Sequence, residues 1–199
     1  MEAVVFDLGN VLLEWDPRHL YRRLFDDEAS MERFLTEICS LEWHVAHDRG
    51  HDIAESCAAL AARHPEWEPM ILAWAERSED MIGGVLHDTV EILAELKANG
   101  VRTYALSNME RETFPLRLSR YEFLHWFDGY VISGFEGLVK PEPEIFELLL
   151  SRFDLDAART VFIDDSPVNI EAARRIGINA IQFTSAPDLR AKLEALGVV

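Results

Sequence analysis

Six polar residues of this 199-residue chain are of types that together could handle a phosphoryl group: Asp7, Ser107, Asn108, Lys140, Asp164 and Asp165. Asp7 is the only carboxylate of the stretch FDLGNVL. An aspartate can attack phosphorus and form an aspartyl phosphate, which divides one hard hydrolysis into two easier steps. Asp7, Asp164 and Asp165 gathered in one place would repel one another, since two unit charges ~4 Å apart cost on the order of 4 kcal/mol at an effective dielectric near 20. A hard cation removes that cost. Magnesium suits, because it takes oxygen ligands, keeps waters and bridges to substrate phosphate. The Ser107 hydroxyl and the Lys140 ammonium would then hold the remaining phosphoryl oxygens. Each residue taken singly has a plainer explanation as a turn residue, a helix cap or a solvated charge. Their recurrence at strand ends favours a site.

The elements that must position them are legible in the apolar runs. Ala3 to Phe6 has no polar face and stops at Gly9 and Asn10, so it reads as a buried parallel strand with Asp7 at its carboxyl end. In open parallel sheets ligands collect at that end. Residues 15 to about 85 show no strand pattern. Asp16-Pro17 opens a helix there, Met31, Phe34, Leu35 and Ile38 recur at helical spacing, and a further helix is predicted over Leu41 to Val45. Asp52 with Glu55 forms a capping box, and Trp67, Met70, Ile71 and Trp74 form a stripe, so the segment reads as a helical bundle. From Asp88 strands and helices alternate: a helix capped by Asp88 and Glu91, then VRTYALSN, YVISG, a helix from Pro143, TVFIDD, a helix capped by Ser166 with Pro167 at its first position, and AIQF. That alternation predicts an α/β fold with a parallel sheet covered on both faces.

Composition narrows the partners. The net charge of −17 disfavours nucleic acid and anionic lipid, and any anionic substrate would need a local cation. A 49% hydrophobic share with no membrane-length apolar run, and an amino terminus without signal-peptide features, make a cytoplasmic location the expectation, with no membrane partner. Cys39 and Cys57 are expected to be reduced, partly buried thiols. Oligomeric state has no readable signal.

The motifs FDLGNVL, ALSN, LVKPEPEIF and FIDDSPVN, in that order, resemble the four motifs of the haloacid dehalogenase superfamily of hydrolases, most of which are phosphatases. The resemblance covers the whole chain. It implies a Rossmann-like parallel sheet with the first strand central, flanked by the second and fourth, formed by residues 1–14 and 86–199, and an inserted α-helical cap at 15–85. It also implies that Asp7 is the nucleophile and that Asp7, the Gly9 carbonyl and a carboxylate of Asp164 or Asp165 bind Mg2+. Asp165 is favoured as the direct ligand, with Asp164 as its support. Ser107 and Lys140 would bind phosphate, and Asn108 would orient the site.

One position departs from the family pattern. Most of its phosphatases carry a second Asp two residues after the nucleophile, as general acid and then base; here that position is Gly9. General acid catalysis is typically worth ~10²-fold to 10⁴-fold, so activity survives best on substrates with good leaving groups, such as an anomeric sugar phosphate. The DLGN variant resembles a subgroup that includes bacterial α-glucose-1-phosphate phosphatases and the amino-terminal phosphatase-like domain of soluble epoxide hydrolases. A small phosphorylated metabolite is therefore the expected substrate. The rivals are a 2-haloacid dehalogenase, which also lacks the second Asp but has no use for paired acidic residues, and a noncatalytic protein on the same fold. In the cap, Trp15, His47 and Arg49 are the expected substrate contacts, His47 being a possible replacement acid. Gly9-Asn10 and Gly83-Gly84 mark the two crossings between core and cap.

Overall fold

The computed structural model describes all 199 residues. Its first strand, β1 (Ala3–Phe6), is completely buried, and its side chains alternate between two apolar clusters. Val4 and Phe6 join one and Ala3 and Val5 the other. A strand with both faces in apolar surroundings must be covered on both sides, which explains the uninterrupted AVVF run.

The chain then makes a short strand β2 (Leu13–Trp15) and five helices: α1 (Arg18–Tyr21), α2 (Glu28–Arg33), α3 (Leu41–Asp48), α4 (Ile53–Arg63) and α5 (Glu68–Glu76). It returns through β3 (Ile82–Val85), which pairs antiparallel with β2, Leu13 opposite Val85 and Glu14 opposite Gly84. The sequence shows no strand pattern between 15 and 85. Strands of three and four residues, one holding Gly83-Gly84, are too short and too glycine-rich to show a period of two. Both crossings thus run through one paired ribbon. The intervening helices pack around a cluster of their own that includes Tyr21, Phe34, Ile71 and Trp74, with both free cysteines inside it. Asp52 caps α4 as expected, accepting from Glu55 N at 2.9 Å.

The rest alternates as predicted: α6 (His87–Ala98), β4 (Arg102–Ser107), α7 (Thr113–Arg120), β5 (Gly129–Ile132), α8 (Ser133–Glu136), α9 (Pro143–Arg152), β6 (Thr160–Asp164), α10 (Pro167–Arg175), β7 (Asn179–Gln182) and α11 (Ala186–Ala195). The sheet is parallel throughout, in the order β5-β4-β1-β6-β7, so β1 lies at its centre. Two expected caps differ. Asp88 lies within the first turn of α6, after Leu86 at the cap position, where its charge complements the positive end of the helix dipole. The Ser166 side chain makes no capping bond on α10, and its backbone amide donates to Asp164 instead. Pro17 occupies the cap position of α1 and not its first turn. No helix is long and apolar enough to cross a membrane.

Candidate active site

The carboxyl ends of β1, β4 and β6 meet at Asp7, Ser107 and Asp164 because those strands are neighbours in register, Phe6 lying opposite Ala105 on one side and Ile163 on the other. Asp7 extends the ladder by one bond, its N–H donating to Ile163 O at 2.8 Å. Its side chain is then fixed by Leu8 N, which donates to Oδ1 at 2.7 Å. Just beyond it, Asn10 adopts φ 54°, a left-handed conformation that asparagine tolerates better than most residues. The Asn10 Oδ1 accepts from Trp15 N at 3.0 Å, which turns the chain back over the strand tip.

Lys140 reaches this point from the loop before α9. Its ammonium, 4% exposed as a residue, lies 3.0 Å from Asp7 Oδ2 and 2.6 Å from Asp164 Oδ2, and donates to Leu106 O at 3.0 Å. Burial pulls the Lys140 pKa down, but Asp7 and Asp164 more than offset it and hold it above the usual value. Asn108 clamps the lysine backbone from both sides: Lys140 N donates to Oδ1 at 2.8 Å, and Nδ2 donates to Lys140 O at 3.0 Å. Burial pushes the Asp7 carboxyl up to about 7, the Asp164 charge adding to the rise while Lys140 and Ser107 oppose it.

The two motif-four carboxylates are used differently. Asp164 is completely buried and its oxygens accept from Lys140, from Ser166 N at 2.8 Å, and from Asn169 Nδ2 at 3.0 and 3.1 Å. Asp165 is half-buried in the cavity wall, its pKa raised by burial and next by Asp164. Asp7, Asp164 and Asp165 each offer an oxygen within 4.8 Å of the others, a hard donor set of the kind magnesium takes. A Cβ at Gly9 would meet nothing within 4 Å, so the missing carboxylate leaves open space.

These groups line a cavity of about 460 Å³ between the strand tips and the helical insert. The insert contributes Trp15 as expected, together with Leu41, His44, Val45 and Asp48. It does not contribute the two other expected contacts. His47 is completely buried outside the cavity wall, edge-on to Trp43 at 4.3 Å, and burial followed by the neighbouring His44 pushes its pKa down to about 4. Arg49 is ion-paired with Glu142 just before α9. The reason is rotational. Positions 41, 44, 45 and 48 of α3 follow the i, i+3, i+4, i+7 stripe of one helix face, and 47 falls on the next face.

Four ionisable residues of the wall fall outside the expected site residues: His44, Asp48, Glu110 and Arg117. His44 Nδ1 lies 3.6 Å from Glu110 Oε1, and Nε2 lies 3.8 Å from Asp48 Oδ2. Burial raises the Asp48 pKa to about 6. Burial also acts to raise that of Glu110, but His44 and Arg117 outweigh it and hold the carboxyl below its usual value. Glu110 follows Asn108 by two residues and α3 carries its own stripe, so both were within reach of pattern reading. Arg117 had no such signal.

A central parallel sheet with acidic residues at the tips of adjacent strands, a buried lysine between them and a helical insert after the first strand defines a Rossmann-like α/β hydrolase architecture. The family model of haloacid dehalogenase-like hydrolases matches residues 1–177, and the chain belongs to that family. It is 30% identical over 188 residues to a sesquiterpene phosphatase of Aspergillus oryzae, covering 93% of this chain and 91% of the relative. It is 26% identical to a phosphorylated carbohydrates phosphatase of Thermotoga maritima, covering 98% and 91%. Among solved structures, a HAD family enzyme of Bacteroides thetaiotaomicron in complex with magnesium and inorganic phosphate superposes with a TM-score of 0.73 at 20% identity, covering 93% and 95%.

Proposed function

We propose that the protein is a magnesium-dependent phosphatase that hydrolyses a small phosphorylated metabolite through an aspartyl-phosphate intermediate. The observation that carries this reading is the buried Lys140 ammonium held against both Asp7 and Asp164 at the tip of the central strands. Little bulk solvent screens an ammonium there, so phosphoryl oxygens at the reacting centre can compete with the two carboxylates for its charge. The phosphatase names of the relatives in Aspergillus oryzae and Thermotoga maritima point the same way.

In this mechanism Asp7 Oδ2 attacks phosphorus. Lys140 and the Ser107 hydroxyl hold the equatorial oxygens, and Asn108 keeps Lys140 in place through its backbone. Asp7, the Gly9 carbonyl and Asp165 would hold Mg2+, which when bound supplies positive charge to the phosphoryl group and the carboxylates. Asp164, its oxygens already occupied by Lys140, Ser166 and Asn169, fits a supporting role. The organic part of the substrate meets Trp15. A second cavity of about 910 Å³ shares Asn10, Trp15 and Leu41 with the first, so there is room for a sugar or a terpenoid chain beyond the phosphate.

The test is a panel of sugar, terpenyl and aryl phosphates assayed with and without magnesium. Turnover of members of the panel, lost on chelation and lost in Asp7→Asn, is expected. Turnover unchanged in Asp7→Asn removes the nucleophile assignment, and halide release from 2-haloacids without metal would substitute the dehalogenase reading.

A further inference from the structure

Position 9 offers no proton to a leaving group, but the opposite wall of the cavity does. His44 projects from α3 into that wall with its side chain 12% exposed. Its ring is held by packing: it stacks on Trp15 at a centroid distance of 5.4 Å and 16° between planes, and rests on Trp74 at 5.2 Å. Its hydrogen-bonding capacity is nevertheless free. Nδ1 is buried without a partner, 3.6 Å from Glu110 Oε1, and Nε2 stands 3.8 Å from Asp48 Oδ2, beyond hydrogen-bond reach. Such separations are common in unliganded sites and tighten when substrate arrives. Three other charged groups of the wall serve less well. Arg117 does not give up protons at neutral pH, Lys140 is committed to three acceptors, and Glu110 Oε2 is bonded to Thr113 Oγ1 at 2.9 Å.

We propose that His44 is the proton donor and acceptor of the reaction, doing from the insert what a carboxylate at position 9 would do from the core. The assignment rests on the phosphatase reading. In the first step Asp7 Oδ2 forms a bond to phosphorus, the bond from phosphorus to the leaving oxygen breaks, its electron pair stays on that oxygen, and the oxygen takes the proton from His44 Nε2. In the second step water attacks the aspartyl phosphate, its proton passes to Nε2, and the bond to Asp7 breaks with the electron pair returning to the carboxylate. Glu110 is a positioning residue: facing Nδ1, it sets which ring nitrogen is turned to the cavity. Because His44 belongs to the insert, proton transfer is available only when α3 lies over the strand tips. That ties catalysis to closure over the substrate.

The experiment uses a series of aryl and alkyl phosphates of rising leaving-group pKa, with magnesium, in the wild-type protein, His44→Gln and Glu110→Gln. The wild type is expected to show a shallow dependence of kcat/KM on leaving-group pKa. His44→Gln should lose ~10²-fold to 10⁴-fold on alkyl phosphates, with a far smaller loss on dinitrophenyl phosphate, so that the dependence steepens. Glu110→Gln should steepen it in the same sense, by less. A steep dependence in the wild type overturns the proposal without need of any variant. So does a loss in His44→Gln that is uniform along the series in protein of unchanged melting temperature. His44, His47 and Glu110 also offer ligand atoms within 4.8 Å of one another. One equivalent of zinc bound by metal-stripped wild type and not by His44→Gln, with alkyl phosphate turnover requiring it, would make His44 a metal ligand and overturn the proton-transfer role. No turnover of any ester by the wild type would overturn the phosphatase reading itself.

Discussion

The Lys140 ammonium stands 3.0 Å from Asp7 Oδ2, at the end of the central strand, with almost no exposure to solvent. Breaking a buried pair by removing one partner leaves an uncompensated charge, at about 3–5 kcal/mol. Lys140→Met should therefore lower both stability in urea and turnover, the latter by at least ~10²-fold, the usual scale for removing one group that stabilises transition-state charge. Stability retained to within ~1 kcal/mol would show that the pair is not coupled as the distances imply.

Asn108 touches Lys140 only through the backbone, accepting from Lys140 N and donating to Lys140 O. Asn108→Ala leaves both backbone groups without their partner, which costs roughly 1–3 kcal/mol. It should also loosen the lysine, so kcat is expected to fall while affinity for inorganic phosphate falls in parallel. Crystallography of the variant with phosphate would show whether Lys140 has moved.

Open space at Gly9 makes the reverse substitution informative. Nothing lies within 4 Å of a Cβ built there, so Gly9→Asp should fold normally. If a proton donor limits the reaction on poor leaving groups, the variant should raise kcat/KM for alkyl phosphates by ~10-fold or more when His44 is also Gln, since general acid catalysis spans about 10²-fold to 10⁴-fold. No gain in that background would show that position 9 cannot reach the leaving oxygen.

Gly134, at the start of α8, packs against the loop that carries Asn108 and Glu110. A Cβ there would come within 2.7 Å of Met109 O and 3.0 Å of Glu110 C, which are backbone atoms and cannot swing aside. Gly134→Ala should cost roughly 1–3 kcal/mol by overpacking and shift the loop. A thermal melt together with kcat tests both effects.

His47 is buried with neither ring nitrogen partnered, and burial puts its pKa near 4 against an ordinary 6.5. Between those values the unfolded chain binds more protons than the folded one, so folding stability rises with pH across that window. The stability His47 helps to set is present above about 6.5 and is lost as pH falls toward 4. His47→Leu should therefore narrow the difference in urea stability between pH 7 and pH 4.5. An unchanged difference would mean that other groups carry it.

Much of this was readable from the chain. The AVVF run and the alternation of strands and helices follow from local periodicity, which is set by which faces must be apolar, and the polar residues at the ends of two later strands stand out against it. The four ordered motifs then carried the family, and with it β1 at the centre of the sheet. Sequence also put Lys140 among the candidate site residues. What it could not supply was that Asn108 holds Lys140 by the backbone, or that Asp164 is saturated with donors while Asp165 lines the cavity, because those depend on how distant segments dock. The ribbon of β2 and β3 escaped because two short strands stabilise each other only once they meet. Most of all, the composition of α3 specified a helix with histidines three residues apart, but not its rotation about its own axis. Packing of Trp15 and Trp74 against that helix, on His44 and Trp43, turned His44 to the cavity and His47 away from it, and only tertiary structure could make that choice.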